Sequence, residues 1–92
     1  MDAIAILEPV PAFFRKELSE LSFHLWDIDL PSLKTAHENH SRIKGLVIRS
    51  KSTVDDSLMN ALPNLSFVLR PGSGLENVDQ KAASKRNIKL IN

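Results

Sequence analysis

Short apolar runs alternate along the chain with segments whose apolar residues recur at helical spacing. The runs predict five strands, and their bounds are Ala3–Leu7, Phe23–Ile28, Gly45–Ser50, Leu65–Arg70 and Ile88–Asn92. The first run is continuous and apolar, which is typical of a strand that is buried on both faces. The second alternates, which favours a position at the edge of the sheet.

The two segments that follow the first and second strands predict helices. The first helix carries Phe14, Leu18 and Leu21 on one apolar face. The second is less regular, with a cap at Ser32 and an extent through His37.

Two further helices follow the third and fourth strands. The third is predicted to begin with an N-cap at Ser52 or Thr53 and to end at Pro63. The fourth is predicted to begin with an N-cap at Asn77. Asn87 would take the left-handed position after its last turn.

This alternation predicts a parallel sheet with right-handed crossovers. We expect an α/β fold, a three-layer flavodoxin-like arrangement of five parallel strands in the order 2-1-3-4-5. Any ligand would then lie at the carboxyl ends of the strands, near the point where the order reverses. The first helix would stand almost alone on one face of the sheet. We therefore expect an exposed apolar patch beside it, and self-association into a homo-oligomer that buries this patch.

Composition narrows the classes of function. The chain has 92 residues, enough for one small domain, and a net charge of +1 with no block of basic residues, which argues against a nucleic-acid partner. It has no cysteine, which excludes disulfides and thiolate metal sites. No run approaches the roughly 18 apolar residues of a membrane span, and the start is not a signal peptide. We expect no membrane partner and a cytoplasmic location.

The histidines do not indicate a metal site. His37 and His40 are spaced to share one helical face, but no acidic partner is evident, and with His24 they are expected to be solvated. Trp26 and the four phenylalanines are expected to pack in the core or between helices and sheet.

Two arginines stand at the ends of the third and fourth predicted strands. Arg49 closes one strand and Arg70 closes the other. Because adjacent strands lie about 4.8 Å apart, both guanidinium groups could converge on one anion if the strands are neighbours. The planar fork of arginine suits a carboxylate or a phosphate. The alternative is that each arginine only marks where its strand meets water.

A glycine loop follows the fourth strand. Gly72 and Gly74 flank Ser73, and backbone N–H groups there can donate to an anion. The alternative is that the glycines only supply positive φ angles for a tight turn. The dinucleotide fingerprint G-x-G-x-x-G is not matched, because Asn77 stands where its last glycine would be. A signalling receiver is excluded as well, since the third strand ends in Arg49 and not in an aspartate.

The part of the chain from Gly45 to Asn92 resembles the N-terminal region of D-isomer-specific 2-hydroxyacid dehydrogenases, and most closely the D-3-phosphoglycerate dehydrogenase branch. The matching pieces are "VIRS", "LPNLSFVLR" and "RPGSGLENVD", and the last fits R-x-G-x-G-x-[DE]-N-[VI]-D. Pro71 replaces the usual small residue, and Asn87 stands where glycine is common. The residues before Gly45 agree with the family only in the order of strands and helices.

The resemblance implies a substrate-binding role for four residues. Arg49 would contact the acidic end of the substrate, and Arg70 would support or contact it. Ser73 and Gly74 would present backbone amides to the carboxylate of a 2-hydroxy or 2-oxo acid.

Three more residues would support the loop. Gly72, Asn77 and Asp79 would hold the loop and the following helix in place. For Asn77 and Asp79 the alternative is helix capping alone.

The resemblance also implies what this chain does not contain. Residues 1–92 would be the N-terminal segment of the substrate-binding domain, without its last helix and without the dinucleotide-binding domain. The complete enzyme would use NAD for hydride transfer at C2 of the substrate. This chain would hold no catalytic residue, no cofactor and no metal. It would be inactive alone, as a shortened chain, a proteolytic product or a gene remnant. The alternative is a stand-alone flavodoxin-like module that binds a small acid or a partner protein without catalysis.

Overall fold

The computed structural model of the chain describes residues 2–34, 38–72 and 74–92. The elements in these ranges are β1 Ala3–Ile6, α1 Ala12–Ser19, β2 His24–Asp27, α2 Leu30–Lys34, a 3₁₀-helix Glu38–Arg42, β3 Ile43–Val47, α3 Asp56–Ala61, β4 Phe67–Leu69, α4 Gln80–Lys85 and β5 Lys89–Ile91. None of the helices described is long and apolar enough to cross a membrane.

All five strands run parallel, in the order β2-β1-β3-β4-β5. This confirms the predicted α/β fold with its flavodoxin-like strand order. The register places Gly45 beside Phe67 and Val47 beside Leu69. The segments that follow β3 and β4 therefore leave the sheet at the same carboxyl edge. The order reverses between β1 and β3, so the loops after these two strands lie where this topology holds ligands.

The helices cover the two faces of the sheet unequally. On one face, α2, α3 and α4 enclose the larger cluster of buried side chains, which includes Leu33, Leu58 and Ala83. On the other face α1 is the only helix among the described residues, and its Leu18 packs with Ile4 of β1. The prediction that the first helix stands alone on its face is confirmed.

That second face is incompletely covered. Phe67 and Leu69 of β4 are only half-buried there, and Ile91 of β5 is 38% exposed. Phe13, in α1, is 70% exposed. The expected exposed apolar side chains beside α1 are therefore present.

A short pairing outside the main sheet delays the start of two helices. Val54 and Val78 form a parallel bridge, in which the Val54 N–H donates to the Asn77 carbonyl over 2.9 Å and the Asp79 N–H donates to the Val54 carbonyl over 2.8 Å. Extended backbone at these positions cannot be helical. As a result α3 is capped by the side chain of Asp55 and α4 by that of Asp79.

The predicted N-caps were therefore wrong. Neither Ser52 nor Thr53 caps α3, and Asn77 does not cap α4, because the bridge separates all three from the helices. The cap predicted at Ser32 was also wrong, since Asp29 accepts a hydrogen bond from the Ser32 N–H over 2.8 Å.

Several side chains depart from their predicted surroundings. Leu21 is 50% exposed because α1 ends at Ser19, before the predicted apolar stripe is complete. Phe13 lies outside the stripe and was wrongly assigned to packing. His40 is buried, at 6% exposed, and not solvated. The predicted end of the second helix at His37 lies outside the described residues.

Candidate anion-binding edge

The carboxyl edge of the sheet brings together the loops that follow β1, β3 and β4. The Ile48 N–H donates to the Leu69 carbonyl over 2.9 Å, which holds the ends of β3 and β4 side by side. Arg49 and Arg70 come directly after those two residues. Both predicted arginines thus leave the sheet from neighbouring strands at one edge, as their spacing suggested.

Glu8 holds the connection between β3 and α3 from the side of β1. Its carboxylate accepts hydrogen bonds from the backbone N–H groups of Arg49 at 2.5 Å, Lys51 at 2.9 Å and Ser52 at 3.1 Å. The Glu8 residue is only 9% exposed. Backbone N–H groups that converge in this way form an anion-binding concavity, which here is filled by a side chain of the same protein.

The ionisation of Glu8 reflects this setting. Burial opposes the charged form, but hydrogen bonds from Arg49, Lys51 and Ser52 together outweigh burial and hold the pKa of the Glu8 carboxyl below its ordinary value. Glu8 was not among the residues predicted from the sequence for this edge. The available signal was an acidic residue directly after the first strand, at the end of the sheet where ligands bind.

Asn77 holds the same connection through the backbone carbonyls of that segment. Its Nδ2 donates to the carbonyl of Arg49 over 2.7 Å and to that of Ser52 over 2.6 Å. The backbone of Arg49 is consequently fixed at its N–H by Glu8 and at its C=O by Asn77. The Arg49 side chain itself is exposed.

The glycine loop has the backbone conformation that glycine favours. Gly72 has φ +124° and Gly74 has φ +85°. A Cβ at Gly72 would lie 3.4 Å from Nη1 of Arg70, so the guanidinium group lies against the loop. Ser73 falls outside the described residues, and the structure gives no account of its predicted amide contact.

An acidic side chain also lies at this loop. A Cβ at Gly74 would be only 2.1 Å from Oε2 of Glu76, so the Glu76 carboxylate covers one side of Gly74. Glu76 is exposed. Sequence analysis did not single it out, although the family motif carries an acid at this position.

The two arginines differ in their surroundings. Arg70 is 9% exposed and lines a cavity of 130 Å³ together with Phe14 of α1 and Ile91 of β5. The residue is thus largely buried while its Nη1 lies against Gly72. Arg49, in contrast, reaches solvent at the rim. The structure brings Arg70 to Gly72 and the Arg49 backbone to Asn77.

An open cleft of 480 Å³ lies at the carboxyl ends of β1 and β2, beside Glu8. Arg15 of α1 and Asp27 of β2 form an ion pair in this cleft, with two N–H···O contacts of 2.8 and 2.6 Å. The hydrogen bond from Arg15 holds the pKa of the Asp27 carboxyl below its ordinary value. The side chains of Arg15 and Asp27 are 42% and 66% exposed, so the pair ties α1 to β2 without a strong contribution to stability.

Comparison with known protein families assigns the fold to a family. The model of the D-isomer specific 2-hydroxyacid dehydrogenase catalytic domain matches residues 4–92. The chain belongs to this family. The match extends the resemblance from the glycine-loop half of the sequence to nearly the whole chain.

Curated relatives of this chain include D-3-phosphoglycerate dehydrogenases. The enzyme of Mycobacterium leprae is 45% identical over 47 residues, which are 51% of this chain and 9% of that protein. The enzyme of Archaeoglobus fulgidus is 35% identical over 51 residues, which are 55% of this chain and 10% of that protein. The matched stretch therefore spans about a tenth of the length of these relatives.

Solved structures of similar fold include several dehydrogenases and reductases. An NADPH-dependent glyoxylate/hydroxypyruvate reductase from Sinorhizobium meliloti, in complex with NADP and malonate, has a TM-score of 0.80 at 21% identity, covering 99% of this chain and 28% of that one. An NAD+-bound 3-phosphoglycerate dehydrogenase from Entamoeba histolytica has a TM-score of 0.75 at 17% identity, covering 98% and 32%. These likenesses confirm the predicted fold.

Proposed function

We propose that residues 1–92 form the N-terminal segment of the substrate-binding domain of an NAD-dependent D-2-hydroxyacid dehydrogenase, where they bind the carboxylate of a 2-hydroxy or 2-oxo acid. The observation that carries the proposal is the way in which the backbone of Arg49 is held while its side chain is exposed. Its backbone is held at both N–H and C=O by side chains from two other loops, while its guanidinium group is exposed at the carboxyl edge. A charged donor carried on a backbone that is held in this way suits recognition of an anion.

The proposal assigns a role to each residue of the edge. Arg49 contacts the substrate carboxylate. The buried Arg70 supports the glycine loop from beneath, which fits its position against Gly72 better than direct contact does. Ser73 and Gly74 supply backbone N–H donors. Asn77 and Asp79 hold the loops and the start of α4.

In the complete enzyme, hydride would pass between C2 of the substrate and the nicotinamide ring of NAD. The residues of this chain do not fit a dinucleotide, because the glycine loop lacks the last glycine of the fingerprint. NAD would therefore be held by other parts of that enzyme. This chain contributes the groups that bind and orient the carboxylate, and alone it would be inactive. A cytoplasmic location and a homo-oligomeric state belong to the same proposal.

The binding role can be tested by NMR titration of the 92-residue chain with malonate. We expect saturable shifts of the backbone amides in the Arg49 connection and in the glycine loop. Arg49→Ala should weaken binding about 10- to 100-fold, since a hydrogen bond between charged groups contributes about 1.5–3 kcal/mol. Arg49→Lys should lose part of the affinity, because it keeps the charge but not the planar fork.

A matched control is Lys85→Ala, which removes the same unit of charge from the last turn of α4. Its affinity for malonate should equal that of the unaltered chain. If Arg49→Ala bound malonate as tightly as the unaltered chain does, Arg49 would not be part of the site. The absence of any saturable shift at either loop would refute carboxylate binding at this edge.

A further inference from the structure

The connection between β3 and α3 has no regular secondary structure at residues 48–53. Three of its backbone N–H groups, those of Arg49, Lys51 and Ser52, donate to the Glu8 carboxylate. Glu8 is separated from these residues by 41 to 44 positions in sequence. One buried side chain from the loop after β1 therefore determines the path of a segment that is otherwise exposed at Arg49, Ser50 and Lys51.

We propose that Glu8 is a positioning residue for the anion site: its carboxylate fixes the β3–α3 connection in the conformation that directs Arg49 toward the substrate carboxylate. This inference rests on the proposed function of Arg49. Glu8 itself does not touch the substrate in this scheme, because its carboxylate oxygens are occupied by the backbone N–H groups beneath the connection.

Ordering the β3–α3 connection when a ligand binds would cost free energy. Each backbone residue that must be fixed on binding costs conformational entropy, which weakens the affinity. With Glu8 in place, the backbone at Arg49 is ordered before a ligand arrives, so binding has only the arginine side chain to immobilise. Asn77 contributes to the same effect through the carbonyls of Arg49 and Ser52. Without Glu8 the connection would keep the carbonyl contacts but lose those on its N–H side.

A purely structural role for Glu8 makes a different prediction. A residue that only stabilises the fold changes the fraction of folded molecules and leaves the affinity of those molecules unaltered. A positioning residue changes that affinity, and does so through Arg49. The two roles are separated by the affinity of folded protein for the anion. The effect of a change at Glu8 on this affinity is measured first with Arg49 present and then in an Arg49→Ala background.

The experiment is a double-mutant cycle with inorganic sulfate as the probe, followed by NMR on the 92-residue chain under conditions where every variant is folded. Glu8→Gln should raise Kd for sulfate about tenfold, equivalent to about 1.4 kcal/mol. In an Arg49→Ala background the same change should have no further effect. Glu8→Asp keeps the charge but is one methylene shorter. It should also weaken binding, and it takes the place of Glu8→Gln if that variant does not fold.

Ile43→Val serves as the control for stability. It removes one buried methylene at the amino end of β3, which lowers the free energy of unfolding. It should leave Kd for sulfate unchanged. Suppose that Arg49→Ala weakens binding but that Glu8→Gln and Glu8→Asp leave Kd unaltered. This result would overturn the positioning role of Glu8 and would leave the proposed function standing. A Glu8 effect that persists in full without Arg49 would also overturn it. An unaltered Kd for Arg49→Ala would instead refute the proposed function.

Discussion

Gly45 lies in the middle of β3, and the ring of Phe67 from the neighbouring strand lies over it. A Cβ added at Gly45 would lie 2.1 Å from Cε2 and 2.3 Å from Cζ of Phe67, far inside van der Waals contact. Phe67 also meets Phe23 edge to face, with ring centroids 6.0 Å apart. The change Gly45→Ala therefore requires the Phe67 ring to move away from both of its neighbours.

The expected cost follows from opposing terms. Overpacking of a buried site costs about 1–3 kcal/mol, and loss of the aromatic contact adds about 0.5–1.5 kcal/mol. Replacing glycine within a strand returns about 0.5–1 kcal/mol through backbone entropy. Phe67 is half-buried on the incompletely covered face, so its ring can swing outward. The cost of overpacking should therefore lie near its lower bound. We expect Gly45→Ala to lower the free energy of unfolding by about 0.5–2 kcal/mol.

The assay is urea unfolding followed by the fluorescence of Trp26, the single tryptophan of the chain. Phe67→Leu removes the ring that the new methyl group would meet. In that background Gly45→Ala should be neutral or slightly stabilising, so the cycle should give a coupling of at least about 1 kcal/mol. Strictly additive effects of the two changes would show that the contact with the ring does not explain the cost, and the reasoning would fail.

Two further predictions concern acid stability and self-association. The folded state holds the pKa of Glu8 below the ordinary value of 4.5, so its contribution to stability is complete above that pH and is lost as the pH falls through the lower folded value. Unfolding free energies of the unaltered chain and Glu8→Gln should therefore differ at neutral pH and converge in acid. A difference in unfolding free energy that stays the same at every pH would contradict this. The exposed Phe13 and Ile91 should favour self-association, seen as a concentration-dependent sedimentation coefficient. A clean monomer at high micromolar concentration would count against it.

The strand order was predictable because its signals are local. Continuous apolar runs separated by helical patterns determine the alternation, and general rules of handedness and connection then leave few topologies. The left-handed turn after α4 was predicted for the same reason. Asn87 has φ 57°, the conformation that a helix of this kind commonly adopts after its last turn.

The start of α3 and α4 was not predictable in this way. Local rules find several good capping residues before each helix, and they cannot choose among them. The choice is made by the bridge between Val54 and Val78, two residues 24 positions apart whose pairing exists only in the folded chain. The caps at Asp55 and Asp79 are consequences of that bridge.

The candidate site was likewise predictable from the sequence only in part. The placement of Arg49 and Arg70 at neighbouring strand ends followed from the strand pattern, and their convergence on one anion stays a prediction. The position of Glu8 directly after the first predicted strand was a signal in the sequence, but its partners could not be identified because they are more than 40 positions away. The burial of His40 also depends on tertiary packing that no local pattern indicates.

The bridge between Val54 and Val78 has a consequence for the lengths of the connections at the carboxyl edge. An inserted residue between Arg49 and Val54, or between Gly74 and Val78, would shift one partner of the bridge and break its hydrogen bonds. Neither connection can therefore lengthen independently of the other.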